Sequence, residues 1–311
     1  MIQIGNVRAE IRFNYSAIDR LFSEPEEILK DAEGFWESEP ALLEARAWHE
    51  RQAIPLDWDR FRSLVEEIAR IPEAKRSTHR AAAVTRRIRE EGERFMREGL
   101  PHLCKFLPES PVTISFNMLF AGGIVPYAFS GDDAVVDLSH GYWHTKGLSI
   151  EGIASWILNV LVHECYHVGY DAFLEKRPDV PSQDTRLHRI LDDIQNEGMA
   201  NYVNYTAQKL FSAPAETDFH MLDEPAQVTE KISMTNAILQ ARNSLANDEL
   251  RELIWEDGIQ KRAFYVAGSH MARAIDEKAG RRALTDTIME GSLAFVKAYN
   301  RFAEGSLRIR I

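Results

Sequence analysis

Two kinds of hydrophobic periodicity divide the chain. Alternating apolar and polar positions at 7–13 predict a short strand. The β-branched and aromatic run at 111–120 predicts a second strand, and the segment 132–139 predicts a third. Elsewhere apolar residues recur at helical spacing. We therefore expect an α+β protein that is predominantly helical and has one small sheet.

The predicted helices fall on both sides of the two central strands. Before them, helical spacing marks amphipathic segments at 16–22, 24–36, 40–52 and 56–71, followed by long charged helices within 72–110. After them, helices are predicted from about 149, then at 185–211, at 259–280 with a stop at Gly280, at 281–291 and at 293–302. We expect two regions: a mainly helical one at 1–110, and one at 111–311 that holds the sheet and the later helices.

Charge and cysteine content narrow the class of protein. Acidic residues outnumber basic ones by 48 to 37, a formal charge of −11, which argues against nucleic acid or an anionic membrane as the main partner. The two cysteines, Cys104 and Cys165, predict no disulfide framework and fit a reducing compartment. The N-terminus does not read as a signal peptide, and the longest apolar run, 153–162, is too short to span a bilayer. We expect a cytoplasmic protein.

The stretch HECYH at 163–167 carries the strongest chemical signal. His163 and His167 are four residues apart, so they lie one turn apart on one helix face, and Glu164 lies beside that face. This is the H-E-x-x-H pattern, in which two imidazoles bind a metal and the glutamate reaches a metal-activated water. The apolar run before it predicts a buried helix, where such polar groups need partners or a metal.

A catalytic zinc site usually takes a third protein ligand and keeps one position open. Glu197 is the best candidate, because Ile190 and Ile194 precede it at helical spacing and predict an inward face. His140 and His144 are also four residues apart, but they fall in a loop-like stretch. The metzincin pattern, with its nearby third histidine, is not met, since Tyr170 and Phe173 occupy the required glycine and histidine positions.

HECYH followed by NEGMANY at 196–202 resembles the gluzincin zinc metallopeptidases, and the stretch 265–300 is similar to the tail of uncharacterised zinc-dependent peptidases. The resemblance covers about 110–300. It implies a thermolysin-like core, with 111–311 as a zincin-like catalytic domain acting on a peptide or protein substrate. It also implies Zn²⁺ bound by His163, His167 and Glu197, with Glu164 as the general base.

Gluzincins commonly add a tyrosine or histidine that stabilises the oxyanion. Two candidates lie on the 259–280 helix, whose packed face is traced by Phe264, Gly268, Met271 and Ile275. Tyr265 flanks this face and His270 points away from it, so we favour Tyr265. Its alternative role is that of a core tyrosine with a satisfied hydroxyl.

Three further side chains can reach the ligands and orient them: Asp171, Asp193 and Asn196. Each is alternatively a solvated helix residue. Cys165 points off the ligand face and is not expected to bind the metal. The resemblance also suggests that the segment 120–129, with Gly122 and Gly123, borders the substrate cleft, although an ordinary hairpin turn explains it equally well.

Three functions are compatible with this pattern. The first is a zinc metallopeptidase, and the second is a zinc hydrolase of a non-peptide amide. The third is a non-proteolytic regulatory protein that keeps the zinc fold, and the intact Glu164 argues against it.

Overall fold

The computed structural model describes residues 2–4, 7–52, 54–108, 111–174 and 185–311. Its sheet has five strands, β1 (Ile2–Ile4), β2 (Val7–Asn14), β3 (Pro111–Leu119), β4 (Ala128–Ser130) and β5 (Ala134–Asp137). The three predicted strands form as β2, β3 and β5. The sequence pattern missed β1 and β4 because a strand of three residues is too short to show an alternation.

The sheet is mixed, with the order β1-β2-β3-β5-β4. Strand β3 runs parallel to both β2 and β5, and the two outer pairs are antiparallel. In the β2–β3 register Arg8 pairs with Pro111, and Asn14 pairs with Asn117. The side chains of Asn14 and Asn117 also form a hydrogen bond of 2.8 Å. The region before residue 110 therefore contributes two strands, β1 and β2, to the sheet, while the division into two regions stays a prediction.

Seven helices precede β3 in the described ranges, and a π-helical turn (Phe95–Gly99) joins the last two of them. They are α1 (Ser16–Ser23), α2 (Pro25–Lys30), α3 (Ala32–Ser38), α4 (Pro40–Gln52), α5 (Trp58–Arg70), α6 (Pro72–Arg94) and α7 (Leu100–Cys104). The predicted helix at 24–36 is two helices. Asp31 leaves the helical conformation between them, and its carboxylate accepts a hydrogen bond from the Gly34 N–H at 3.2 Å, which caps α3.

The C-terminal part is helical, as predicted. It contains α8 (Ile150–Leu174), α9 (Thr185–Phe211), α10 (Thr217–Asp223), α11 (Pro225–Ala241), α12 (Asn247–Leu253), α13 (Ala263–Ala279), α14 (Arg281–Glu290) and α15 (Ser292–Asn300). The helix predicted to begin at 259 begins at Ala263. A π-helical segment (Ile254–Gln260) continues α12, and Arg262 then adopts a left-handed conformation that separates it from α13.

Helices cover both faces of the sheet at β4. The ring of Phe129 packs on that of Trp48 of α4, with 5.6 Å between the ring centroids. The next residue, Ser130, hydrogen-bonds to Glu164 of α8. Neighbouring strand residues point to opposite faces, so α4 and α8 lie on opposite sides. Helix α9 packs on α8, and α13 packs on α9. Since α8 lies between the sheet and α9, it is buried on nearly all sides, which explains its apolar sequence.

The predominantly helical α+β class is thus confirmed, with one continuous hydrophobic core that includes residues of the sheet, α8, α9 and α13. Within the described ranges, every helix is too short or too polar to cross a lipid bilayer.

Candidate metal centre

Helices α8 and α9 bring the three predicted ligands together. His163 and His167 follow one another along α8, and their Nε2 atoms are 3.0 Å apart. The Glu197 Oε2 atom of α9 lies 3.8 Å from the His163 Nε2 atom and 3.6 Å from the His167 Nε2 atom. These three form the one group of ligand-type side chains among the described residues that could hold a metal ion.

The donor set fits zinc. Two imidazole nitrogens and one carboxylate oxygen are the ligands of a catalytic zinc site that keeps a position open for water. The Glu197 Oε2 atom is buried and has no hydrogen-bond partner in the described part of the chain. Such an orphaned acceptor is costly unless a cation or a donor satisfies it. Its position opposite two imidazole nitrogens is one at which a metal ion could satisfy it.

The side chain of Asn196 fixes the orientation of His167. Its Oδ1 atom lies 2.8 Å from the His167 Nδ1 atom. An amide oxygen only accepts, so Nδ1 donates in this contact, and the ring is held with its Nε2 atom facing His163 and Glu197. Of the three predicted orienting residues, Asn196 makes this contact. Asp171 acts on His167 through its charge, and Asp193 lies near Glu197.

Burial and nearby charges shift the pKa values of both histidines. Burial, the neighbouring His167 and the Arg262 guanidinium lower the pKa of His163 well below its usual value. Burial also lowers the pKa of His167, but the negative charges of Glu197 and Glu164 outweigh it and raise that pKa. Two carboxylates thus face two imidazoles in a buried place, an excess of negative charge that a divalent cation would neutralise.

Glu164 lies beside the ligand group, since its charge acts on His167 and the charge of Glu197 acts on it. It is buried, and burial raises the pKa of its carboxyl to about 7, with Glu197 adding to the increase. His167 and a hydrogen bond from Ser130 act in the opposite direction. Ser130 ends strand β4, so Glu164 lies between the three predicted ligands and the edge of the sheet.

Tyr265 of α13 lies beside His163 and Glu197, and its role as the oxyanion-stabilising residue stays a prediction. Its ring is nearly parallel to that of His163, with 6.1 Å between centroids and 8° between planes. Burial raises the pKa of its hydroxyl, and the nearby carboxylate of Glu197 raises it further. His270, the alternative, contacts Tyr299 of α15 at 5.8 Å and so lies on another face of α13. Geometry therefore favours Tyr265 over His270.

A glycine pair lets α13 approach α9 closely enough for this. A β-carbon on Gly268 would lie 2.3 Å from the Ile194 carbonyl oxygen and 2.6 Å from the Gly198 α-carbon. Only glycine fits such a contact between helix backbones. Helices α9 and α13 cross at Gly198 and Gly268. Gly198 is one residue after Glu197, and Gly268 is three residues after Tyr265, so this crossing sets the distance between Glu197 and Tyr265.

The segment 120–129 lies at the β4 end of the sheet. Gly122 and Gly123 both have positive φ, +70° and +71°. The buried carboxylate of Asp137 accepts the N–H groups of Ala121 and Gly123 at 3.0 and 3.2 Å, which holds this glycine turn (121–123) in place. The turn leads into β4, whose second edge has no strand partner in the described sheet. That the segment borders a substrate cleft stays a prediction.

Sequence reasoning missed three residues near the centre. Arg262 and Asp218 form an ion pair beside Tyr265. Tyr127 stacks on Tyr142 with 4.0 Å between ring centroids, and the charges of Arg262 and Glu164 act on its hydroxyl. Only Tyr127 had a signal in the sequence, because it is one of three aromatic residues in the predicted cleft segment.

The remaining candidates lie outside the ligand group. His140 accepts a hydrogen bond from the Tyr142 N–H at 3.2 Å, and His144 is exposed in a short 3₁₀ helix. Cys165 is buried, and burial raises the pKa of its thiol, so it is not an activated thiolate. Both cysteines are free.

Comparison with known proteins gives one match. Residues 15–306 match the family described as "Putative zinc dependent peptidase (DUF5700)". No curated protein and no solved structure matches the chain. The family match spans all three ligand positions, Glu164 and Tyr265.

Proposed function

This chain belongs to the DUF5700 family of zinc-dependent peptidases, and we propose that it is a metallopeptidase of the gluzincin type. The observation that carries the proposal is the convergence of His163, His167 and Glu197 with Glu164 beside them. A thermolysin-like core, with the helix of the histidines next to a sheet and the glutamate on the following helix, is part of the proposal.

Each residue of the centre has a role in this proposal. His163, His167 and Glu197 would hold the zinc ion, which, when bound, supplies a Lewis acid that makes water a nucleophile at neutral pH. Glu164 takes the proton of the attacking water and passes it to the leaving amine. The Tyr265 hydroxyl donates a hydrogen bond to the oxygen on which negative charge develops.

The substrate we propose is a peptide or protein segment in extended conformation. Strand β4 lies at the edge of the sheet, ends at Ser130 and interacts there with Glu164. An extended chain that pairs with this edge would carry its carbonyl groups past the general base. The free, buried cysteines support a reducing compartment, and we propose the cytoplasm.

A metal assay combined with a peptide-library digest tests the proposal. Wild-type protein should bind one zinc ion and cleave peptides. Glu164→Gln should bind zinc with the same stoichiometry and lose cleavage by a factor of at least about 10². Glu151→Gln, an exposed position on the same helix, is the matched control and should match the wild type.

Three outcomes would contradict parts of this proposal. Full cleavage by Glu164→Gln would refute the role of the base. Zinc binding by the wild type without cleavage of any peptide would favour hydrolysis of a non-peptide amide or a regulatory role. An absence of zinc binding would refute the metal centre itself.

A further inference from the structure

Arg262 has an unusual backbone conformation at the start of α13. It is one of two non-glycine residues with positive φ in the described chain, with φ 62° and ψ 24°. A β-carbon makes this left-handed region unfavourable, and among residues other than glycine mainly asparagine and aspartate adopt it. Non-glycine residues in such conformations cluster at functional sites. The conformation therefore calls for a compensating contact of the side chain.

That contact is an ion pair with Asp218 of α10. The Arg262 Nε atom lies 3.0 and 2.9 Å from the two carboxylate oxygens of Asp218, and the Nη2 atom bonds to one of them. The Asp218 side chain is 6% exposed and that of Arg262 is 29% exposed. A guanidinium held by several bonds to one buried carboxylate has a fixed plane and direction.

The fixed guanidinium lies on the ring of Tyr265. Its central carbon is 3.1 Å from the ring centroid. The ring of His163 is also next to Tyr265 and nearly parallel to the phenol ring, with 6.1 Å between the two ring centroids. Tyr265 thus neighbours both the Arg262 guanidinium and a proposed metal ligand, and these three residues are called the stack below. Attraction between the cation and the aromatic face holds the phenol in one orientation.

We propose that the Asp218–Arg262 pair is a positioning device for Tyr265, which keeps its hydroxyl directed at the metal centre. The proposal rests on the proposed function for the role of the hydroxyl, but the placement of the ring can be tested without substrate or zinc. Arg262 is a positioning residue in this account and does not contact the substrate.

Substitution of Arg262 by asparagine separates the effect of the side chain from that of the backbone conformation. Asparagine tolerates the left-handed region, so Arg262→Asn removes the guanidinium without adding backbone strain. Arg273 provides the matched control. It lies on the same helix, pairs with Asp223 and faces the ring of Tyr205 at 5.8 Å, but it has no part in the stack.

The first readout is fluorine NMR of protein labelled with 3-fluorotyrosine, in which Tyr265→Phe assigns the Tyr265 signal. We expect Arg262→Asn to shift or broaden this signal and Arg273→Asn to leave it unchanged. An unchanged Tyr265 signal in Arg262→Asn would overturn the proposal, whether or not the protein proves to be a peptidase. If Arg262→Asn does not fold, Asp218→Asn is measured in the same way with the same expected result.

The second readout is steady-state cleavage of the best peptide from the library. We expect Arg262→Asn to lower kcat by about tenfold or more, with KM and zinc content within about twofold of the wild type, because the phenol acts in the transition state. In a Tyr265→Phe background the same substitution should change kcat by less than about twofold. An equally large loss in that background would show that Arg262 does not act through Tyr265.

Discussion

Replacement of Gly268 by alanine should drive apart the two helices that carry Glu197 and Tyr265. The added β-carbon would lie 2.3 Å from the Ile194 carbonyl oxygen and 2.6 Å from the Gly198 α-carbon. Non-bonded heavy atoms settle at about 3.5–4.0 Å, so α9 and α13 must separate by about 1 Å or more. Both obstacles are backbone atoms that cannot rotate away.

The size of the effect follows from two opposing terms. Overpacking costs about 1–3 kcal/mol, and the rigid backbone contacts place this substitution at the upper end. Alanine returns about 1 kcal/mol through its higher helix propensity. We therefore expect Gly268→Ala to lower the free energy of unfolding by about 2 kcal/mol. The separation also moves Glu197 away from the histidines, so zinc affinity should fall as well.

Urea unfolding measures the first effect and competition with a chromophoric chelator measures the second. Gly92→Ala in α6 is the matched control, because the nearest atom to its β-carbon is a Phe13 ring carbon at 3.9 Å. The control should be as stable as the wild type or more stable by up to about 1 kcal/mol. If Gly268→Ala unfolds at the same urea concentration as Gly92→Ala, the argument from the helix crossing is wrong.

Three further substitutions test other contacts. Asn196→Ala should weaken zinc binding by about 10–100-fold in the chelator competition, while the exposed Asn243→Ala should not, and equal affinities would contradict the orienting role. Burial lowers the pKa of His102 to about 4 in the folded protein, whereas the pKa of the same imidazole in the unfolded chain is about 6.5. Between these two pH values only the unfolded chain binds a proton at His102, so the free energy of unfolding decreases as the pH falls. In urea unfolding, the free energy of unfolding of His102→Gln should fall by about 2 kcal/mol less than that of the wild type between pH 7.5 and pH 5. If both proteins show the same pH dependence, this explanation is wrong. Asp137→Ala removes the acceptor of the Ala121 N–H, at a cost of about 1–3 kcal/mol, whereas the Gly123 N–H keeps the Ser139 hydroxyl oxygen as an acceptor. The melting temperature of this variant should therefore drop, while that of the exposed Asp132→Ala stays constant.

The ligand group was accessible from the sequence because helical periodicity is a local property. The spacing of His163 and His167 places both on one face, and Ile190 and Ile194 mark the inward face that Glu197 continues. The structure brings these residues together as the periodicity predicts. Local patterns also located β2 and β3, though not their direct parallel pairing, which joins segments far apart in the chain.

The contacts around Tyr265 could not be read in the same way. The position of the Arg262 side chain depends on the left-handed backbone conformation of that residue and on its ion pair with Asp218. Asp218 lies 44 positions earlier in the chain, and no periodic pattern links the two residues. Gly268 was placed on a packed face, but its contact with Gly198 depends on how two helices cross. Likewise, the choice of Asn196 over Asp171 and Asp193 as the partner of His167 depends on side-chain direction, which spacing alone leaves open.

The parallel pairing of β2 with β3 has a consequence for synthesis of the chain. Paired residues such as Asn14 and Asn117 are 103 positions apart. A ribosome adding about 5–20 residues per second needs roughly 5–20 s to deliver the partner of β2 after β2 itself has been made. The edge of β2 that faces β3 lacks its partner during that delay, although β1 can already pair with the other edge, and closing so long a loop is slow. Assembly of the sheet against which α8 packs therefore depends on keeping one edge of a nascent strand free until β3 arrives.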